Sequence, residues 1–340
     1  MYNWGLAEWK RQYEAGEKPS ALGLKKQFNA IRTEQFPWTY LVTKCAIEGA
    51  FMNLGTAFKN FFEGRKTGRK VGFPKFKTKR RSKTSFYVSN DKFSVQGYEI
   101  KLPDIGVVNM AEKLRFSGKI MSARISRRAD WWFVSITVEM PDVYGVQRPE
   151  TVGIDLGILR TGTLSDGHVL ENQKPLRRLQ FKVKRLSKAL NRKQKGSKNR
   201  DKARRKLAQL HYRIACIRDD VLHKATTWVA DNYGFVGLET LNVKGMMRNH
   251  ALALSLGDVA LGRFKDLLQT KMNARRGKVQ LVGRFYPSSK TCSGCLAVHE
   301  TLSLSERTFV CPECGMQLDR DLNAALNILN EALRLSDLSA

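Results

Sequence analysis

Apolar residues recur at near-helical spacing through the first part of the chain. Leu22, Leu24, Phe28 and Ile31 make one stripe, and Phe51, Leu54, Phe58 and Phe61 make another within 46–62. The pattern predicts helices over 1–63 with a break at Pro37. The period then falls to two. Ser85 to Val88, Tyr98 to Leu102 and Trp132 to Val138 alternate as strands do, and Gly97, Pro103, Gly106 and Gly118 punctuate them. A small antiparallel β-barrel over 84–140 is the expectation. Over 151–170, Val152, Ile154, Leu156 and Ile158 alternate, Ser165-Asp166-Gly167 supplies a turn and Val169 begins a return, which reads as a hairpin. Leu176, Leu179, Val183, Leu186 and Leu190 return to helical spacing and predict one basic helix over 174–206. A second helix follows, about Leu207 to Asn232, running back to a short buried strand, Phe235 to Leu238. No internal repeat is visible.

Composition turns this pattern into a multidomain α+β protein. The 340 residues are 42% hydrophobic, enough for two or three cores. Charge adds a partner. Lys and Arg number 60 against 31 acidic residues, a net +29, and such self-repulsion does nothing for folding. A polyanion, normally nucleic acid, is the physical reason to keep it; a general adaptation to crowding is the alternative. The charge concentrates in two segments. Over 64–83, 10 of 20 residues are Lys or Arg, a density that suggests a loop lying on phosphates. Over 174–206 there are 16 basic residues in 33, where a merely solvated helix would mix signs. The candidate nucleic-acid contacts are Lys75, Lys77, Arg80, Arg81, Lys182, Arg185, Arg192 and Arg204.

The start of the chain, with Trp4, Glu8 and Trp9, lacks the apolar core of a secretory signal, and no run reaches the roughly 18 apolar residues of a membrane helix. The expected location is the prokaryotic cytoplasm, with no membrane partner. Disulfides are rare there, so six cysteines need another explanation. Four of them supply it. Cys292-Ser-Gly-Cys295 and Cys311-Pro-Glu-Cys314 are two Cys-x-x-Cys turns, each presenting two thiolates to one metal, with Glu306 to Val310 as a ribbon strand leading into the second. An all-sulfur set leaves no open position, so Cys292, Cys295, Cys311 and Cys314 read as a structural Zn²⁺ site. Two redox pairs would need a thioredoxin-like context, which is absent. His299 is an unnecessary fifth candidate. Cys45 and Cys216 are expected to be ordinary buried thiols.

Three carboxylates interrupt apolar surroundings. Asp155 sits in Gly153-Ile-Asp-Leu-Gly157, Glu239 ends Val236-Gly-Leu-Glu239, and Asp321 opens the apolar helix Leu322 to Leu329. A carboxylate in such a place is paired, protonated or bound to metal. Converging, the three would hold two Mg²⁺ ions for phosphodiester cleavage. Singly, Asp155 reads equally well as the cap of a turn and Asp321 as a first-turn carboxylate. Asp319 is the better plain cap, Asp166 fits a turn, and Asp258 has no evident role.

These residues resemble a family. Gly153 to Gly157 and Gly237-Leu-Glu-Thr-Leu-Asn-Val-Lys-Gly-Met246 resemble the first two RuvC motifs of TnpB, the OrfB-type protein of bacterial insertion sequences. Tyr286-Pro-Ser-Ser-Lys-Thr-Cys292 and Asp319-Arg-Asp-Leu-Asn-Ala-Ala325 are similar to its C-terminal motifs, and Ala57 to Phe62 and Gly72 to Lys77 to its N-terminal half. The resemblance implies an RNase H-like nuclease guided by a transposon-encoded RNA and related to type V CRISPR effectors. It implies a helical recognition lobe at 1–63, a basic loop and wedge barrel at 64–140, a RuvC-like nuclease domain at 141–290, a zinc ribbon at 291–316 and a final RuvC helix at 317–340. Asp155, Glu239 and Asp321 become the catalytic triad and Mg²⁺ ligands, and guide RNA and double-stranded target DNA become the partners, with a short motif beside the transposon end read by lobe and wedge. The family motif at Met1-Tyr2-Asn3-Trp4 is normally preceded by a few tens of residues that supply a first wedge strand; the expectation is an upstream start or a shortened copy with an open barrel edge. Leu296 stands where the family has Gly, and should strain a left-handed turn.

Three functions compete at this stage. One is an RNA-guided, Mg²⁺-dependent DNA endonuclease. Another is a cleavage-incompetent or shortened RNA-guided binder acting by occupancy, which would be expected to have lost a carboxylate. A strand-transfer transposase in the older sense is the third, and no nucleophilic Tyr motif with paired His supports it.

Overall fold

Ser20 accepts the amide hydrogen of Gly23 at 3.1 Å and so starts α2 (Ala21–Gln35), which lies between α1 (Tyr2–Glu14) and α3 (Lys44–Lys66) in sequence. Leu6, Trp9, Leu24, Phe28, Phe51, Leu54 and Phe58 from the three helices bury one core, and the Trp9 and Phe58 rings stack with centroids 3.9 Å apart. The computed structural model describes residues 1–78, 82, 84–141, 148–299, 302–303 and 306–337. Arg80 and Arg81 lie outside the described residues. The chain divides into two compact units, Met1–Asp142 and Val143–Ala340. Among the described residues no helix is long and apolar enough to cross a membrane.

In the first unit, the basic segment after α3 has neither helix nor strand over 67–78. It is nonetheless fastened. Asn3 exchanges two hydrogen bonds of 2.8 Å with the backbone of Lys77, and the Phe73 ring lies edge-on to Phe58 and Phe61. Lys77 itself is placed 4.0 Å over the Tyr2 ring, while Lys75 is exposed. Six strands follow: β1 (Ser85–Ser89), β2 (Ser94–Gln96), β3 (Glu99–Leu102), β4 (Gly106–Asn109), β5 (Lys119–Arg128) and β6 (Trp131–Glu139). They pair antiparallel in two sheets, β1-β5-β6 and β2-β3-β4. Val88, Ile100, Leu102, Ala123 and Ile125 form their common core, joined by Cys45 of α3.

The second unit is built on a five-stranded sheet, ordered β11-β10-β7-β8-β9. Strands β7 (Thr151–Asp155), β8 (Arg160–Leu164) and β9 (Val169–Glu171) replace the single hairpin expected from alternation. The apolar alternation runs on to Ile158, but the chain leaves β7 after Asp155 and turns before Arg160. Asp166 accepts the His168 amide at 3.0 Å and the Tyr233 hydroxyl, as a turn residue should.

The basic stretch is a helical hairpin, not one helix. Helix α4 (Pro175–Asn191) ends well before Lys206, and α5 (Lys198–Asn232) begins before Leu207. Gly196 at φ +87° makes the turn and Ser197 caps α5 by accepting the Arg200 amide at 3.1 Å. Arg200 closes the hairpin by donating to the carbonyls of Leu190 and Lys193. Cys216 is a further correction: it is exposed, because it falls off the face of α5 that buries Leu210, Ile214 and Leu222. Strand β10 (Phe235–Glu239) is followed by α6 (Val243–Met246), α7 (His250–Val259), α8 (Leu261–Ala274) and β11 (Lys278–Val282), then β12 (Thr308–Val310), β13 (Gln317–Asp319) and α9 (Arg320–Asp337).

Asp258 of α7 has a clear task. It is 2% exposed, and its two carboxylate oxygens accept the amides of Leu176 and Arg177 at 2.9 and 3.0 Å, capping α4 from 82 residues away. Arg218 of α5 donates to its carbonyl at 2.8 Å and approaches its carboxylate at 3.4 Å. Removing the carboxylate strands two helix amides and a half-buried guanidinium. Asp258→Ala should therefore cost about 3 kcal/mol, with amide exchange of α4 rising first. Unchanged denaturation midpoints would show that α4 does not depend on this cap.

Candidate active site and metal centre

Alternation along two parallel strands aims the carboxylates. Val152 and Ile154 of β7, with Val236 and Leu238 of β10, face the core made with α5, α7 and α8. The intervening residues face the other way, so Gly153 shares a face with Asp155 and Gly237 with Glu239. That face is covered by α9. A Cβ on Gly153 would lie 2.1 Å from the Ala325 carbonyl oxygen, and one on Gly237 would lie 2.7 Å from the Ala332 Cβ. The two glycines thus admit the α9 backbone directly onto the strands. Leu238 pairs with Ile154, so the next residues, Glu239 and Asp155, are neighbours across strands roughly 4.8 Å apart. Asp321 is one helical turn before Ala325 and projects from the same stripe of α9.

The ring of charge is visible in the acidities. Burial first, then the charges of Glu239 and Asp321, push the Asp155 carboxyl well above the usual carboxylate range. Burial raises Glu239 to about 7, partly offset by the Leu156 amide that donates to its Oε1 at 3.3 Å. Arg320 donates to Asp321 Oδ1 at 3.3 Å and lowers Asp155 in turn. Asp319, last residue of β13, accepts the amides of Asp321 and Leu322 at 2.9 and 3.1 Å, and so caps α9. The Asp155 carboxyl feels the charges of Glu239, Asp321 and Asp319 against that of Arg320, so the cluster is short of positive charge, although its oxygens are not gathered into the ligand set of one ion. An oxygen-only donor set of this kind suits a hard divalent cation, Mg²⁺ included.

The sulfur site closes more tightly. The four cysteine Sγ atoms all lie within 4.8 Å of one another, with Cys292–Cys314 and Cys295–Cys311 at 3.6 Å. A tetrahedron of Zn–S bonds needs sulfurs roughly 3.8 Å apart, so the thiols fit. Among the described residues no other His, Cys, Asp or Glu group is gathered into the ligand set of one ion. The backbone favours thiolates at the first cysteine of each turn. Burial raises the Cys292 thiol, but the amides of Cys295 and Gly294 outweigh it and bring it to about 7. The Cys314 amide likewise lowers Cys311. Strands β12 and β13 pair antiparallel behind the second turn. His299 is not in the tetrad: its ring lies 4.9 Å from that of Phe309, and its buried Nε2 has no hydrogen-bond partner.

Leu296 follows the first cysteine pair at φ +66°, in the left-handed region where a branched side chain is strained. Its side chain is exposed, so packing offers no return. Leu296→Gly should stabilise the ribbon by about 1 kcal/mol, read as slower zinc release to a chelator. Equal release rates would mean the turn carries no strain.

The basic candidates of the second unit are surface residues. Lys182 and Arg185 on α4, Arg192 in the hairpin turn and Arg204 on α5 are all exposed. Arg204 pairs with Asp201 at 3.0 Å, an exposed ion pair that a phosphate can replace at small cost.

Known proteins resemble this chain over most of its length. Residues 135–250 match the OrfB_IS605 family model, described as "Probable transposase", and residues 262–328 match the Cas12f1-like TNB domain. A Streptomyces pristinaespiralis protein named "Putative RNA-guided DNA endonuclease" is 32% identical over 309 residues, covering 90% of this chain and 75% of that protein. The similarly named InsQ of Escherichia coli K12 is 30% identical, covering 97% of this chain and 85% of its own. The TnpB-like protein L79 of Acanthamoeba polyphaga mimivirus is 31% identical over 144 residues, covering 41% of this chain and 27% of its own. The chain belongs to the TnpB family. In fold it resembles Cas12f1, solved by cryo-electron microscopy as an sgRNA and target DNA complex, with a TM-score of 0.60, 16% identity, and coverage of 97% of this chain and 80% of that one.

Within this TnpB chain, sequence reading missed the residues that bring the carboxylates together. Gly153 and Gly237 had a signal, a Gly two residues before each strand-ending acid. Asn323 and Asn327, both 0% exposed on α9, had another: amides repeated at i, i+4 in an apolar helix. Arg320, adjacent in sequence to Asp321, carries no signal beyond that adjacency.

Proposed function

We propose that this protein is an RNA-guided DNA endonuclease of an insertion sequence, cutting double-stranded target DNA beside a short transposon-adjacent motif. The convergence of Asp155, Glu239 and Asp321 from two parallel strand ends and a helix start carries this reading. The parallel β7, β10 and β11 with α9 across them support a reading of 141–290 and 317–340 as an RNase H-like, RuvC-type nuclease domain, interrupted by a zinc ribbon at 291–316. The helices at 1–63 serve as recognition lobe, and the basic loop with the two small sheets at 64–140 as wedge barrel. The kinship with proteins named as RNA-guided DNA endonucleases supports guide RNA and target DNA as partners, in the prokaryotic cytoplasm.

The three carboxylates hold the divalent ions. Two Mg²⁺ bound there would activate a water and stabilise the leaving oxygen of the phosphodiester. Glu239 must give up its proton to take part, and the Leu156 amide keeps its carboxyl oriented meanwhile. Arg320 fixes Asp321. Lys75, Lys77, Lys182, Arg185, Arg192 and Arg204 gather the polyanions, so binding should weaken steeply with salt. Cys292, Cys295, Cys311 and Cys314 hold Zn²⁺ for structure only. The occupancy reading expects a missing carboxylate, and all three are present.

The test begins with the RNA that co-purifies with the full chain. Sequenced and re-supplied with a matching duplex, its flanking motif and Mg²⁺, it should direct cutting of that duplex and not of a scrambled one. Intact matched duplex, in a preparation shown to bind the RNA, overturns the proposal.

A further inference from the structure

Helix α9 is gripped on two sides. Successive positions turn by about 100°, so Asp321, Ala325, Ile328 and Ala332 share one stripe while Asn323 and Asn327 share the nearly opposite one. The first stripe lies on the sheet at Gly153 and Gly237. The second meets the segment that leads into the first cysteine turn. Asn323 donates to the Thr291 carbonyl at 2.7 Å and accepts the Ser293 amide, inside the Cys292–Cys295 turn, at 3.0 Å. Asn327 donates to the carbonyls of Ser288 and Thr291 at 2.8 and 2.6 Å. The ribbon is also joined to α9 by the chain itself, since β13 runs straight into it, and the Arg320 amide donates to the Arg307 carbonyl at 2.8 Å.

Stability alone is a poor reason for these amides. The Asn327 side-chain Oδ1 is buried without a hydrogen-bond partner, a loss that an apolar side chain of similar volume would avoid. What two buried amides supply is direction. They allow one height and one rotation of α9 against the root of the ribbon, and Asp321 lies two residues from the first of them.

We propose that Asn323 and Asn327 are positioning residues that couple the four-cysteine centre to the carboxylate site. Closure of the tetrad on its metal fixes Ser288 to Ser293, the two amides pass that placement to α9, and Asp321 is thereby held where divalent cation affinity is high. The coupling is reciprocal, so a cation at the carboxylates also tightens zinc binding by the same factor. This inference rests on the reading of Asp155, Glu239 and Asp321 as cation ligands.

The test uses the full chain with Mn²⁺ as probe, titrated by electron paramagnetic resonance, and zinc content measured in parallel. Asn327→Asp keeps the volume and removes both donated hydrogen bonds. It should raise the Mn²⁺ Kd about tenfold, as disturbed outer-shell partners do, with zinc still near one per chain. Wild-type protein stripped of zinc should show a similar rise, and there Asn327→Asp should add nothing further, which a merely structural defect would not reproduce. If the variant does not fold, the zinc-stripped wild type decides alone. Asp155→Asn separates the two ideas. Mn²⁺ binding indifferent to Asp155 overturns the cation-site reading and this inference with it. Binding that needs Asp155 but is unmoved by both Asn327→Asp and zinc removal overturns the coupling alone.

Discussion

Glu239→Gln should stop cleavage and, without divalent cation, make the protein more stable at pH 8. Both effects come from one half-buried carboxyl. Its ordinary value of 4.5 is raised by burial to about 7 in the folded chain. The folded state therefore holds the proton more tightly than the unfolded state does. Stability is intact below about 4.5 and declines as the pH rises to about 7, by about 3 kcal/mol in all. Gln is uncharged throughout and escapes that decline. Wild-type protein should recover the difference when Mg²⁺ is added at pH 8, because the cation binds only the folded state. The variant should recover far less. Loss of one ligand worth ~4 kcal/mol in the transition state lowers the rate ~10³-fold. As the pH is lowered the wild-type rate should fall as Glu239 takes up its proton, at a pH that rises as Mg²⁺ is reduced, because the bound cation favours the ionised carboxyl. Thermal melts with and without Mg²⁺ from pH 5 to 9 check the stability side. A variant no more stable than wild type at pH 8 would show that Glu239 does not carry the buried charge assigned to it.

Replacing Cys311 with Ser has the largest effect expected on stability. Cys311 is buried beside Phe309 and Cys292, in a small core that has little else to hold it. Zinc binding and folding of such a site are one equilibrium, worth ~10 kcal/mol or more in isolated zinc modules. With three thiols left, zinc should fall from one per chain towards none, and β12 and β13 should lose amide protection. The main sheet should survive, because the larger of its cores is made with α5, α7 and α8, away from the ribbon. Cleavage should fall as well, since α9 and Asp321 follow directly from β13. Zinc at one per chain with wild-type protection in β12 would contradict the ligand assignment.

What could be read from sequence was what local chemistry dictates. Four cysteines at Cys-x-x-Cys spacing name their own geometry, because each turn is closed by its own backbone. The strain at Leu296 was legible only through the family resemblance, which has Gly at that position. Asp155, Glu239 and Asp321 stood out because a carboxylate in an apolar run demands an explanation. Their convergence could not be read, because it depends on the register of β7 against β10 and on α9 fitting two glycines more than 80 residues apart. Asp258 was opaque on similar grounds: its amide partners are 82 and 81 residues away. The break between α4 and α5 was hidden by charge. Lys and Arg continue across the turn, although Gly196-Ser197 marked a stop and a cap. Cys216 shows the other limit: composition makes a thiol a buried residue on average, and only helical phase shows that this one faces outward.

The central claim is that this carboxylate site cuts the DNA that the guide selects. Asp321→Asn tests it most directly, because the carboxylate sits in the first turn of α9 and the amide keeps its shape. The measurement compares RNA-loaded wild-type and variant protein on one matched duplex with Mg²⁺, recording bound and cut DNA together. RNA and duplex should bind equally, with cut strands from the wild type and none from the variant. Cutting by Asp321→Asn at the wild-type rate would contradict it.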